Sequence, residues 1–353
     1  MVIYMVYTAI VLLLLVIELF YFRIADRYNI IDKPNERSSH STIVLRGGGV
    51  VFVISMVIWF IWQMAQGEWC VVQGYLPFMV GLVLVCGVSF WDDIHSLPDS
   101  FRMAVQIGSV LLMFWSAGVY AVAGNWLWTA VITLVALFFC VGATNFINFM
   151  DGINGITAAY SLAMLVPIAL VNGAWLKVHG FGFIEPSYLI VAIIGVLVFS
   201  IFNFRPKGKA KCFAGDVGSI GIAFIILLAL ARLMIATKDV TYIVFFVLYG
   251  VDGTLTIVHR IMLHEHLGEA HRKHAYQLMA NELKMSHVTV SLIYMGLQLA
   301  VSLGFIYLIP NTIVAHWIYL VVAGLVLAIA YVLFKMKYYH LHEEYLARVK
   351  SEK

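Results

Sequence analysis

Leu76-Pro-Phe-Met-Val-Gly-Leu-Val-Leu-Val-Cys-Gly-Val-Ser-Phe90 carries no charge and runs directly into Trp91-Asp92-Asp93-Ile94-His95. A bilayer core asks for about 20 predominantly apolar residues per helix, and this stretch has that character. Two adjacent carboxylates at its end are costly beside a membrane and usually have a task. They also repel each other unless a cation or a shared proton relieves them. A hard divalent ion bound through oxygen is the simplest relief, since Mg²⁺ takes one or two carboxylates together with substrate phosphates. The plain alternative is a helix-end turn whose acids face water.

The rest of the chain extends that reading. Its 353 residues are 63% hydrophobic and 12% charged, with a mean hydropathy of +0.94. Soluble domains carry about 25% charge, so this is a polytopic membrane protein. The apolar runs are continuous rather than alternating, which argues for helices and against a closed barrel. The expected fold is all-α: one membrane bundle over residues 1–353, with spans at 2–22, 48–66, 75–91, 103–121, 126–144, 157–176, 188–204, 217–236, 240–258, 289–309 and 312–334. That makes about eleven. Pro167 and Asn172 make the sixth the weakest. Residues 1–22 could pass for a signal peptide, but no positive segment leads them and Arg23, Asp26 and Arg27 follow, so a retained first span is expected. Cys70, Cys86, Cys140 and Cys212 form no CxxC pair and suggest neither a disulfide framework nor a thiolate metal site.

Lysine and arginine are distributed unevenly, and cytoplasmic loops are the basic ones. With the N-terminus outside, the inner connections hold Arg23, Arg27, Lys33, Arg37 and Arg46, then Arg102, then Arg205, Lys207, Lys209 and Lys211, then Arg260, Arg272, Lys273 and Lys284. The outer ones hold only Lys177 and Lys238, with Arg232 near an outer end and expected to snorkel. The C-terminus then lies inside. The inner loops also carry nearly all the Asp, Asn and His, so function should face the cytoplasm. No internal repeat is evident, which counts against a secondary transporter.

Four inner loops complement the Asp pair. Asp32-Lys-Pro-Asn-Glu-Arg37-Ser-Ser-His40 leads to Arg46-Gly-Gly-Gly49, basic groups beside backbone that can approach a ligand closely. Asn145, Asn148 and Asp151 recur every third residue and gather on one side of a helix end, followed by Gly152, Asn154 and Gly155. Amide and carboxylate edges there suit a nucleobase or sugar hydroxyls, although an Asn-rich cap would look the same. Phe213-Ala-Gly-Asp216-Val-Gly-Ser follows a lysine run that suits anionic lipid, and Asp216 could add a third oxygen to a metal. The last loop, about 260–287, holds Arg260, His271, Arg272 and His274, suited to charge-assisted bonds to phosphate. Its spacing matches no common zinc motif.

These motifs resemble the polyprenyl-phosphate N-acetylhexosamine-1-phosphate transferases of glycosyltransferase family 4. Four ordered motifs carry the resemblance: the 32–49 loop, Asp92-Asp93, Asn145 to Gly155, and Phe213 to Ser219. It extends to about residue 280. Two places depart from the common pattern. Ser96 stands where many members have an acid or Asn, and Glu269-Ala-His271-Arg272-Lys-His274 replaces a His-x-His-His cluster. The latter is similar to the O-antigen-initiating branch, some of whose members take 6-deoxy sugars, and unlike the muramoyl-pentapeptide branch.

The resemblance implies transfer of a sugar 1-phosphate from a UDP-N-acetylhexosamine to undecaprenyl phosphate, starting a lipid-linked glycan of the cell wall or lipopolysaccharide. It implies Mg²⁺, with Mn²⁺ as an alternative, held by Asp93 and Asp216 and completed by Asp92, which could instead orient the acceptor phosphate. Asn148, Asp151 and Phe213 would meet the uridine, with Phe213 stacking on uracil, and Asn154 would join the substrate-binding residues. Arg37, His40, Arg46, Arg260, His271, Arg272 and His274 would hold phosphate or sugar. A homodimer would be unsurprising, and no nucleic-acid partner is expected. The rival reading, a phosphorylated-lipid transporter or flippase, wants polar groups near the bilayer midplane.

Overall fold

The computed structural model describes residues 2–32, 43–266 and 271–351. Arg37 and His40 lie outside the described residues. The described chain is a bundle of helices: α1 (Val2–Arg27), α2 (Val50–Gln66), α3 (Trp69–Ile94), α4 (Asp99–Ala117), α5 (Trp126–Phe149), α6 (Ile156–His179), α7 (Pro186–Asn203), α8 (Gly215–Thr237), α9 (Val247–Met262), α10 (Ala275–Asn281), α11 (His287–Tyr307) and α12 (Ile313–Ser351). Ten segments are long and apolar enough to cross a membrane, one of them α9 with the 3₁₀ stretch Val240–Phe246 ahead of it. The 17-residue α2 is shorter but equally apolar. Each of the eleven expected spans has its helix. Between α1 and α2, Ile31–Asp32 and Val44–Leu45 pair antiparallel as β1 and β2, with Ile31 opposite Leu45.

Local signals set the boundaries. Asn125 caps α5 by accepting the Trp128 N–H at 2.9 Å, and Ser286 caps α11 by accepting that of Thr289 at 3.1 Å. Pro186 opens α7, where its missing N–H costs nothing. Pro167 does not break α6, which continues to His179. Asn172, the other feature that weakened this span, is buried and clamps the next loop, exchanging hydrogen bonds with the Ile184 N–H (3.2 Å) and C=O (3.0 Å).

The central element is α8. From Ile222 to Leu230 every residue is buried, so the helix is apolar on all sides. It packs on α2, α3, α4, α5 and α6, while α1, α5 and α12 turn most of their apolar surface outward. Lipid tails are as apolar as leucine, so close packing and interhelical hydrogen bonds must hold such a bundle together. Both are present. Backbones of α2 and α8 cross at Gly49 and Gly218, where a Cβ on Gly49 would lie 2.3 Å from Gly218 Cα. Tyr188 donates to the Ile225 carbonyl at 2.9 Å, and Tyr160 to Gln298 Oε1 at 2.7 Å. Arg232 donates to the Ser116 carbonyl at 2.8 Å near the end of α4, and its guanidinium lies 3.9 Å over the Tyr75 ring.

Side-chain pairings bring the α1–α2, α3–α4, α5–α6, α7–α8 and α9–α11 connections to one end of the bundle. The start of α8 is at that end too.

Candidate functional site

The turn into α8 is built against the Arg46-Gly47-Gly48-Gly49 segment. The Gly48 and Gly49 N–H groups donate to the carbonyls of Phe213 (2.8 Å) and Ala214 (3.1 Å), and the Phe213 N–H donates to the Leu45 carbonyl at 2.8 Å. Gly48 and Gly49 therefore pack against the turn into α8, with their N–H groups occupied by that turn. Gly215 has φ +70°, and a Cβ there would sit 2.6 Å from Asp93 Oδ2.

Asp93 projects from the last turn of α3 onto the start of α8. Its side chain is 0% exposed. Oδ1 accepts the Asp216 N–H at 3.0 Å and pairs with Arg46 Nε at 2.7 Å, while Oδ2 accepts the Val217 N–H at 3.2 Å. A helix start leaves its first N–H groups without partners and favours negative charge. Asp93 supplies both needs from another helix.

Asp216 and Asp92 are more accessible, at 17% and 9% of the side chain. Arg102, on the first turn of α4, joins them: its Nη1 pairs with Asp92 Oδ2 and lies 3.5 Å from Asp216 Oδ2. Its Nη2 pairs with Asp99. Asp92 Oδ1 also accepts the Leu97 N–H at 2.7 Å. Arg46 Nη2 reaches Asp216 Oδ1 at 3.4 Å. Three carboxylates from two helix ends thus interleave with two guanidiniums. Sequence reasoning recorded Arg102 only as an inner-loop charge; the available signal was its place as the lone cation following the Asp pair.

Beside this cluster, Asn148 Oδ1 accepts the Ser219 hydroxyl at 2.7 Å, tying the end of α5 to α8. Asp151, just past α5, accepts the Thr157 hydroxyl. Burial pushes its carboxyl up to about 6; the Thr157 bond opposes this and the charge of Asp216 adds to it. Phe213 is half-buried on the neighbouring turn. Asn154 has a different position: it is 1% exposed, and its amide donates to the carbonyls of Arg205 (2.9 Å) and Pro206 (3.1 Å). Its side chain clamps two connections.

The last loop packs onto the α5–α6 turn, where Tyr276 donates to the Phe149 carbonyl at 3.1 Å. Its cations face protein partners. Arg260 is buried and pairs with Glu265 at 3.2 Å, and Arg272 pairs with Glu282 at 3.0 Å. His274 is buried, with Nδ1 3.0 Å from Asp252 Oδ1, and it caps α10. His271 is pushed down to about 3 by burial, and by the positive field of His274, Arg260, Lys273 and Lys335. It is neutral at physiological pH and offers hydrogen bonds but no charge.

Among the described residues, no group of three His, Cys, Asp or Glu side chains is arranged to hold a metal. Two carboxylates do share a position: Asp92 Oδ2 and Asp216 Oδ2 both meet one positive atom, Arg102 Nη1. Hard oxygens from two carboxylates fit a Mg²⁺ or Mn²⁺ that takes its remaining ligands from water or substrate phosphate. Asp93 fits less well, because both its oxygens already hold the α8 turn.

Residues 75–236 match the profile of glycosyl transferase family 4, and this stretch contains the Asp pair, the Asn145–Gly155 turn and Asp216. That match places residues 75–236 of the chain in glycosyl transferase family 4. The chain is similar to a Bacillus subtilis (strain 168) protein described as a probable undecaprenyl-phosphate N-acetylglucosaminyl 1-phosphate transferase, with 27% identity over 287 residues, 77% of this chain and 76% of that one. It is also similar to the phospho-N-acetylmuramoyl-pentapeptide-transferases of Limosilactobacillus reuteri (28% over 196 residues) and Streptococcus pneumoniae serotype 4 (31% over 193). Those matches span 50% of this chain and 56% and 55% of the relatives, about half their length.

Proposed function

We propose that this protein transfers an N-acetylhexosamine 1-phosphate, or its 6-deoxy form, from a UDP-sugar to undecaprenyl phosphate on the cytoplasmic face of a bacterial inner membrane. A phosphate oxygen of the lipid attacks the sugar-bearing phosphorus of the donor. The bond from that phosphorus to the bridging oxygen breaks, UMP leaves, and a polyprenyl diphospho-sugar remains. O-antigen initiation is the branch we favour, on the character of the 269–274 stretch.

The carrying observation is the convergence of Asp92, Asp93 and Asp216 with Arg46 and Arg102 at one end of an apolar bundle. Both reactants are anionic, so their meeting needs positive charge fixed where negative charge gathers. Arg46 and Arg102 supply it, and guanidiniums match phosphate oxygens in bidentate geometry. Asp93 positions Arg46 and the α8 turn. Asp92 and Asp216 would hold Mg²⁺, which when bound neutralises the diphosphate and favours departure of UMP. A phosphate acceptor is already nucleophilic near neutral pH, so Asp92 need not act as a base. Asn148, Asp151 and Phe213, beside the cluster, would meet the uridine. The confinement of the charged cluster to one end also speaks against a transport path through the midplane.

The test is release of UMP by purified protein given Mg²⁺, undecaprenyl phosphate and a panel of UDP-N-acetylhexosamines and 6-deoxy analogues. Release with one donor, dependent on the lipid and lost in Asp216→Asn, is the expected result. No release with any donor refutes the proposal.

A further inference from the structure

The end of the bundle away from the acidic cluster holds an open cavity of about 470 Å³. It lies where α3 begins, where α4 and α8 finish, and where the α6–α7 connection crosses between them. Trp115, Phe181, Phe183 and Ile235 give it apolar walls, and Arg232 is the one charged residue that lines it. Trp115 and Phe181 are 71% and 64% exposed, too open to be core residues. Asn172 holds the 181–183 wall in place through its two bonds to Ile184.

The partners of Arg232 are neutral. Its Nε and Nη2 both donate to the Ser116 carbonyl, at 3.2 and 2.8 Å, and the Tyr75 ring covers one face of the guanidinium. The end of α4 favours a cation there, but a helix terminus carries only about half an elementary charge. Glu185 comes near through its backbone, whose N–H donates to the Tyr75 hydroxyl at 2.9 Å, yet its carboxylate accepts the Ser187 hydroxyl at 3.3 Å. Among the described residues, no carboxylate forms an ion pair with Arg232. A full positive charge at the edge of an apolar bundle is thus only partly compensated, and it borders a cavity with no acid in its lining.

We propose that this cavity binds the phosphate of an anionic phospholipid from the leaflet opposite the acidic cluster, with Arg232 as the phosphate ligand. Guanidinium suits phosphate oxygens. The volume leaves room for the glycerol beside the phosphate, and the apolar walls suit the upper part of an acyl chain. Exposed aromatic side chains belong at headgroup depth, where one end of the ring is wet and the other is not. A free anion gains nothing from those walls. A zwitterionic lipid brings a cation into a space that holds no acid to meet it. The site is independent of the transfer reaction and lies at the other end of the bundle.

The test uses full-length protein in a non-ionic detergent and amide exchange over 115–118 and 181–183, which reads this cavity and not the basic loops at the other end. The probes are dioctanoyl phosphatidylglycerol, dioctanoyl phosphatidylcholine and inorganic phosphate. Phosphatidylglycerol should slow exchange in both segments about fivefold, and the other two should not. Arg232→Gln, which keeps a donor for the Ser116 carbonyl but no charge, should remove the protection. Ala236→Phe, which fills the cavity and leaves Arg232 in place, should remove it too, and decides the matter if Arg232→Gln does not fold. Equal protection by phosphatidylcholine, or protection that survives either variant, overturns the proposal. Protection by inorganic phosphate alone as strong as by phosphatidylglycerol overturns the lipid and leaves a small-anion site.

Discussion

Asp93→Asn separates two roles that the sequence alone left merged. The Asp93 carboxylate is fully enclosed and receives the Asp216 and Val217 N–H groups together with Arg46 Nε. Asparagine retains one acceptor oxygen. Its amide nitrogen must then face either the Val217 N–H or the Arg46–Asp216 side, donor against donor. A hydrogen bond to a charged group contributes about 1.5–3 kcal/mol, and removing one partner of a buried ion pair costs about 3–5 kcal/mol. Arg46 is 34% exposed and keeps Asp216, so the lower end applies. The expected loss is about 3 kcal/mol, or a melting temperature lower by about 4 °C for a chain of this size. Asp216→Asn, which leaves the backbone bonds at the α8 start intact, should lose transfer with a much smaller thermal shift. Melting curves followed by size-exclusion chromatography in detergent would measure both. An Asp93→Asn protein as heat-resistant as the parent yet inactive would refute the helix-cap account and return Asp93 to the metal.

Gly49→Ala would place a Cβ 2.3 Å from Gly218 Cα, backbone against backbone with no flexible atom to yield; it should abolish recovery of monodisperse protein, and normal yield and melting would contradict the crossing. Asp151 has its carboxyl raised from 3.8 to about 6 in the fold. Its contribution is therefore complete below about pH 4 and is lost as pH rises through 6. Asp151→Asn should be the more stable protein at pH 7–8 and lose that advantage progressively as the pH falls from 6 to below about 4, which melting across pH would show. Phe213→Ala should raise the KM for the UDP-sugar with little change in melting, and an unchanged KM would place uracil elsewhere.

The spans were readable because each is a continuous apolar run, and a run needs no partner to be recognised. Asp92-Asp93, Asn145-xx-Asn148-xx-Asp151 and Asp216 stood out for the related reason that polar groups are rare beside such runs. What each acid does was not readable. The role of Asp93 depends on backbone 123 residues away, and that of Arg102 on Asp216, 114 residues away. Asn154 has the same chemistry as Asn148 and follows it closely, yet one clamps two loops inside the protein and the other ties α5 to α8 at the site. His271 looks like a cation among cations in the sequence; in the fold, burial lowers its pKa first and those neighbours lower it further. The 39-residue length of α12 was hidden because its polar end looks like any solvated tail until its partners in the last loop are known.

The two guanidiniums of the cluster are already satisfied by the protein's own acids before any substrate arrives. The cluster itself therefore projects little bare positive charge. On the proposed function, an incoming diphosphate would exchange places with internal carboxylates, each guanidinium releasing one anion as it accepts another. Selectivity is then exercised at the moment of exchange, and added salt should alter encounter with the donor far less than it would at an open basic groove.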